Sequence, residues 1–281
     1  MIIDCLKIAK NIKNNLIVRI NKFKEKYKLS PKIAFLITNN NDSGKKFLER
    51  KIKIAKELGI AVEVYDQIKI EKDLFNIIKK LNNDNSVHGI VVQLPIFKGA
   101  NIKTVFSSIN PRKDVDGLNP LSIGNLILEP SNTLNIPCTV KSIISILDSL
   151  QLNYEGKNAL IINRSHIVGK PLIHNLLEKN MTVTISHSYT NNLDQFIKNA
   201  DLIISGCNVA NIVNISNVKK ESILINVGAT YFDNKIVGDI DFDNLKDYVS
   251  YITPIIGGVG PLTVLNVFDN LMNLIESNYF G

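Results

Sequence analysis

The chain is expected to fold as two α/β lobes built on parallel sheets. Short apolar runs of strand length recur along its 281 residues. Segments with three- and four-residue apolar spacing lie between them, and no internal repeat or low-complexity tract interrupts the alternation. Strands alternating with helices in this way indicate βαβ units.

Each element has its own signal. Cys5, Ile8, Ile12, Leu16, Ile20 and Phe23 mark one face of a long helix. Pro31 ends the connection to a buried strand over 33–38, and a helical pattern over 43–58 stops at Gly59. Residues 61–65 alternate as a strand, 72–82 are helical, and 88–94 form the next strand. The scheme then repeats, with a helix over 141–150, a strand over 158–163 and a helix from near Val168. Further strands are expected over 182–186, 201–205 and 222–227, separated by helical stretches. Pro261 suits the first turn of a last helix running to about Glu276.

Composition narrows the function classes. The chain is 45% hydrophobic and 21% charged, which fits a soluble globular protein, and no apolar run is long enough for a bilayer. The start, Met1 to Asp4, lacks a signal-peptide pattern. Cys5, Cys138 and Cys207 lie far apart, which fits a reducing compartment and argues against a disulfide framework or a zinc site. The net charge of +7 comes from scattered lysines. Compositional bias is the first reading of it, attraction of small anions the second, and nucleic-acid binding ranks last.

Three segments could carry chemistry. KDVDGLNP (113–120) sets Asp114 and Asp116 among apolar residues, where burial is costly unless they are hydrogen-bonded; a solvated turn is the ordinary alternative. INRSHIVGKP (162–171) lies where a strand turns into a helix. Helix N-terminal amides, Gly169 and the donor fork of Arg164 suit a phosphate there, but so does an ordinary turn with a solvated arginine. Lys51 shares its helix with Lys45, Lys46, Lys53 and Lys56, which by themselves read as a solvated face.

In their order and spacing, VVQLP (91–95), KDVDGLNP, IPCTV (136–140), INRSHIVGKP, VGDIDF (237–242) and YITPIIGGVGPLT (251–263) resemble the bifunctional methylenetetrahydrofolate dehydrogenase/cyclohydrolase family. The resemblance spans nearly the whole chain. It implies a folate-binding catalytic lobe over 1–139, completed by a helix over 262–281 that packs back on it. A Rossmann-like nucleotide-binding lobe over 140–261 would follow, with the active site in a cleft between the two. The implied activity is oxidation of 5,10-methylenetetrahydrofolate with NADP, then hydrolysis to 10-formyltetrahydrofolate. The implied setting is a metal-free cytoplasmic homodimer of one-carbon metabolism, feeding purine biosynthesis, with no nucleic-acid or membrane partner. A member retaining one activity, or a non-catalytic folate- or nucleotide-binding protein, is the alternative.

The same resemblance assigns residues. Lys51 is implied as the proton-transfer group, Gln93 as the amide that orients it, and Asp116 as the acceptor for the amino-pyrimidine end of the pterin. Phe47, Leu94, Gly257, Gly258, Gly260 and Pro261 would line the substrate. Asn163, Arg164, Ser165, Gly169, Ser188 and Ala229 would hold the cofactor. Arg164, Ser165 and Ser188 fall at the 2′-phosphate, which favours NADP over NAD.

Several positions depart from the family pattern. Asn163 stands for a glycine, Asn208, Val209 and Ala210 for Gly-Lys-Pro, Asn226 for an aspartate, Ala229 and Thr230 for Ile-Asn, and Val140 and Ser142 for a proline and a glycine. Each glycine replaced puts a side chain where backbone and cofactor approach closely, so the oxidation step is expected to suffer. Phe47 stands for a tyrosine four residues before Lys51, on the same helix face. It keeps a ring for stacking and loses a hydroxyl, so weakened hydrolysis is expected.

Overall fold

The computed structural model describes residues 1–38, 42–232 and 235–280. In chain order its elements are α1 (Cys5–Tyr27), β1 (Lys32–Ile37), α2 (Asp42–Glu57), β2 (Ala61–Tyr65), α3 (Glu71–Asn83), β3 (Gly89–Gln93), α4 (Ile102–Ser108), α5 (Pro120–Leu128) and α6 (Cys138–Ser149). There follow β4 (Asn158–Ile162), α7 (Gly169–Leu177), β5 (Thr182–Ser186), α8 (Leu193–Asn199), β6 (Leu202–Ser205), β7 (Ile223–Asn226), β8 (Ala229–Phe232), β9 (Lys235–Gly238), α9 (Phe242–Leu245), β10 (Tyr251–Ile252) and α10 (Val259–Phe280). The chain divides into two compact units. No helix among the described residues is long and apolar enough to cross a membrane.

One unit comprises Lys10–Leu128, Asn132–Cys138 and Val264–Gly281. Its sheet is parallel in the order β2-β1-β3. Residues 33–37 of β1 are all buried, as a strand covered on both faces requires. The register pairs Ile33 with Gly89 and Ile37 with Gln93, so Gln93 stands at the carboxyl end of the sheet. Leu74, Ile78 and Leu81 of α3 recur every three to four residues and pack into one core with Ala34, Leu36, Ile90, Val92 and Phe106. On α1, Leu16, Ile20 and Phe23 are buried while Ile8 and Ile12 are half-buried. Polar groups tie α1 to α10. The Arg19 guanidinium donates to Asp269 at 2.6 Å, to Asn273 at 2.7 Å, and to both Glu276 oxygens at 2.8 and 2.9 Å. Charge-assisted forks of this kind fix orientation as well as adding energy.

The other unit comprises Met1–Ala9, Glu129–Ser131 and Thr139–Thr263. Its main sheet has five parallel strands in the order β10-β7-β6-β4-β5. Leu160, Ile162, Ile203, Leu224, Ile197, Val213 and Ile240 form its core. The first residues join it through backbone bonds, Ile3 N–H to Ile252 O at 2.9 Å and Ile252 N–H to Met1 O at 3.0 Å.

The structure adds elements that periodicity does not resolve. Helices α4 and α5, of seven and nine residues, are too short for a clear apolar period. The β8–β9 pair is an antiparallel hairpin of four-residue strands. The last helix is longer than expected, with Pro261 its third residue.

Candidate active site

Lys51 is not on a solvated face. It is 5% exposed, on the stripe of α2 that also buries Leu48 and Ala55, whereas Lys53 and Lys56 point to solvent. The side chains of Lys45 and Lys46 lie outside the described residues. Burying an ammonium is costly unless other groups compensate. Lys51 Nζ donates to Gln93 Oε1 at 3.2 Å. It also lies over two aromatic rings, 5.4 Å from the centroid of Phe47 and 5.9 Å from that of Phe35. Ring faces attract cations, most where water is excluded. Phe47 precedes Lys51 by one helical turn, so the i,i+4 geometry expected of the pair is present. The Gln93 amide is anchored in turn, its Nε2 donating to Leu94 O at 3.0 Å.

The two aspartates of KDVDG separate into different roles. Asp114 is fully buried and accepts from Asn119 N–H at 2.8 Å, Ser122 Oγ at 2.8 Å and Leu118 N–H at 3.2 Å. Burial pushes its carboxyl up to about 6, against the hydrogen bonds that favour the ionised form. Its carbonyl accepts from Asn135 Nδ2 at 2.6 Å. Asp114 therefore locks the start of α5 and the loop two residues before Asp116. Asp116 is partly exposed. Burial raises its carboxyl from the ordinary range, and the Lys51 ammonium opposes that shift, which puts the two groups in one electrostatic neighbourhood. Gly117 turns the chain at φ +69°, and a Cβ there would lie 2.3 Å from Asn135 O. The glycine of the Asp-Gly step is thus required by the fold at this point.

In the other unit, the segment after β4 is shaped by Asn163. Its Oδ1 accepts from Ser165 N–H at 2.8 Å and Gly169 N–H at 3.1 Å, and its Nδ2 donates to Gly206 O. The Asn163 side chain is thereby committed to bonds within its own unit, one of them to the first N–H of α7. Asn208 is accommodated too: it takes φ +59°, a left-handed conformation that asparagine tolerates well. Its Oδ1 accepts from Ala229 N–H at 3.2 Å, and its carbonyl accepts from Thr230 Oγ1 at 3.0 Å. Asn226 is buried, donating to Gly228 O at 2.8 Å and accepting from Ile240 N–H at 3.2 Å. A neutral amide serves both partners. An ionised carboxylate, which cannot donate, would face the Gly228 carbonyl unpaired.

Arg164 and Ser188 are exposed and Ser165 is half-exposed. Among the described residues Arg164 makes no ion pair; its guanidinium carbon lies 5.3 Å from the Tyr189 ring centroid. A cationic fork at the mouth of a strand–turn–helix suits a phosphate group. Gly169 has no room for a Cβ, which would lie 2.0 Å from Asn163 O. Gly257 and Gly258 lie in the turn before α10, while Gly260 and Pro261 fall in its first turn.

Lys51, Gln93, Phe47 and Asp116 are brought together, with Leu94 beside them. Arg164, Ser165 and Gly169 share one turn, with Ala229 held by Asn208. Sequence reasoning misses Phe35, which looks like any other apolar residue of a buried strand. It also misses Tyr189 and the clamp role of Asp114, although the improbability of a buried aspartate marks that segment.

Residues 3–116 match the family described as tetrahydrofolate dehydrogenase/cyclohydrolase, catalytic domain, and residues 137–279 match its NAD(P)-binding domain. The chain is 39% identical over 274 residues to the bifunctional protein FolD of Staphylococcus epidermidis, covering 96% of this chain and 95% of that protein. It is similar to the structure of the bifunctional enzyme FolD, a methylenetetrahydrofolate dehydrogenase/cyclohydrolase, from Campylobacter jejuni, with TM-score 0.94, 33% identity and 99% of each chain covered. It also shares its fold with the Trypanosoma brucei dehydrogenase-cyclohydrolase complexed with NADP and an inhibitor, at TM-score 0.95 and 26% identity, covering 100% of this chain and 99% of that one.

Proposed function

The chain belongs to the tetrahydrofolate dehydrogenase/cyclohydrolase family, and from that premise we propose that it oxidises 5,10-methylenetetrahydrofolate with NADP and hydrolyses the product to 10-formyltetrahydrofolate. The observation that carries this reading is the buried Lys51 ammonium, bonded to Gln93, stacked on Phe35 and Phe47 and electrostatically coupled to Asp116. An inert scaffold has no physical need for that costly arrangement.

Hydrolysis adds water to the bridging carbon of the methenyl cation. Both protons leave the added oxygen: one is released as the hydroxyl adduct forms, and the other passes to N5 as the carbon–N5 bond breaks and the formyl C=O forms. Lys51 is the group we assign to these transfers, with its Nζ held in direction by Gln93. Asp116 accepts hydrogen bonds from the amino-pyrimidine, and the Phe47 ring stacks on the flat part of the substrate. Leu94 is assigned to the substrate in this reading, as are Gly257, Gly258, Gly260 and Pro261.

NADP, when bound, supplies the hydride acceptor for the oxidation. Arg164, Ser165 and Ser188 would hold its 2′-phosphate, and Gly169 and Ala229 would lie along it, with Asn163 setting the shape of the turn. The Arg164 fork, without an ion pair among the described residues, and the inward-turned Asn163 fit such a ligand. We assign folate binding to 1–139 with 262–281, and the nucleotide to 140–261. A cytoplasmic homodimer belongs to the same reading, and light scattering checks its assembly.

The hydrolytic half is tested by supplying 5,10-methenyltetrahydrofolate without nucleotide and following loss of its absorbance. Phe47→Tyr restores a hydroxyl one turn from Lys51, worth about 1 kcal/mol if it bonds in the transition state, and is expected to raise the rate roughly fivefold. An unchanged or lower rate would show that the missing hydroxyl does not limit this enzyme.

A further inference from the structure

Tyr189 is 79% exposed, its ring largely in solvent. It is nevertheless held. Its backbone N–H donates to His187 Nδ1 at 3.2 Å, and its ring meets the His187 ring at a centroid distance of 6.3 Å. His187 is fixed by a reciprocal turn, its N–H donating to Thr190 Oγ1 at 2.9 Å and its carbonyl accepting from Thr190 N–H at 2.9 Å. This short turn after β5 projects the ring toward the turn after β4, where the Arg164 guanidinium lies over it. Arg164 has no ion pair among the described residues, and this ring is the group its guanidinium lies against.

We propose that Tyr189 is a positioning residue that sets selectivity for the 2′-phosphorylated nucleotide by holding the Arg164 fork ready for the phosphate. The inference rests on the assignment of Arg164 to that phosphate. An arginine stacked on a ring has lost rotamer freedom before the ligand arrives and keeps its edge donors free for bidentate contact. A ligand lacking the 2′-phosphate draws nothing from this arrangement. The ring therefore affects discrimination between the two nucleotides and leaves the chemical step alone.

The test uses calorimetric titration of the full chain with adenosine 2′,5′-bisphosphate and with AMP, at one fixed ionic strength, for the wild type, Tyr189→Ala and Tyr189→Phe. Loss of the ring is expected to weaken bisphosphate binding about two- to fivefold and leave AMP binding unchanged. Tyr189→Phe should bind as the wild type does, because the ring and not the hydroxyl carries the contact. In steady state, Tyr189→Ala should raise KM for NADP by the same factor with kcat unchanged and the NAD parameters unmoved. A wild type that prefers the bisphosphate, together with an unaltered preference in Tyr189→Ala, overturns the proposal alone. Equal weakening of both ligands also overturns it, by making the ring a general nucleotide platform. A wild type with no preference for the bisphosphate contradicts the placement of the phosphate at Arg164, and the proposal falls with it.

Discussion

Lys51→Met is expected to lower the hydrolysis of 5,10-methenyltetrahydrofolate by about 10²- to 10⁴-fold, the usual contribution of a positioned proton-transfer group. The protein should stay folded. Methionine fills nearly the same volume between Phe35 and Phe47, so the apolar packing around the site is kept. An unchanged thermal midpoint together with lost hydrolysis therefore separates chemistry from stability. During oxidation the variant should accumulate the methenyl intermediate, visible in its absorbance. If the variant hydrolyses at the wild-type rate, Lys51 does not move the proton.

Gly169→Ala should have the opposite distribution of effects. The added Cβ would lie 2.0 Å from Asn163 O and 2.6 Å from its carbonyl carbon. Both are backbone atoms, so the turn carrying Arg164 and Ser165 must move. Overpacking of this kind costs about 1–3 kcal/mol. If that strain falls on the nucleotide-binding conformation, KM for NADP rises by roughly ten- to a hundredfold. Hydrolysis of the methenyl substrate needs no nucleotide and is expected to continue at the wild-type rate. Kinetics with each substrate check this directly. An unaltered KM for NADP would show that the turn does not shape the nucleotide site.

The sequence makes the main βαβ alternation legible because parallel strands buried on both faces leave near-continuous apolar runs, as in 33–37 and 202–205. The short helices α4 and α5 and the β8–β9 hairpin leave weaker traces, since seven- to nine-residue helices and four-residue strands show little periodicity. The site is legible unevenly. Lys51 cannot be distinguished from its neighbouring lysines by composition. Its burial depends on the rotation of α2 and on a ring from β1, both tertiary facts. KDVDG stands out through the cost of burying aspartate, yet only the hydrogen bonds separate Asp114, the clamp, from Asp116. The asparagine replacements at the nucleotide turn are expected from sequence to crowd the cofactor. Within their own unit these side chains are accommodated. Asn163 is bonded to its own loop and to Gly206, and Asn208 occupies a left-handed position suited to it.

Incubating the purified protein with 5,10-methylenetetrahydrofolate and NADP, and in parallel with NAD, while following reduced nicotinamide and methenyl absorbance together, tests both activities at once. The expected result is reduction with NADP in preference to NAD, with methenyltetrahydrofolate formed and then consumed to the 10-formyl product. Absence of reduction with either nucleotide, in protein that also leaves added methenyltetrahydrofolate intact, would contradict the assignment of both activities.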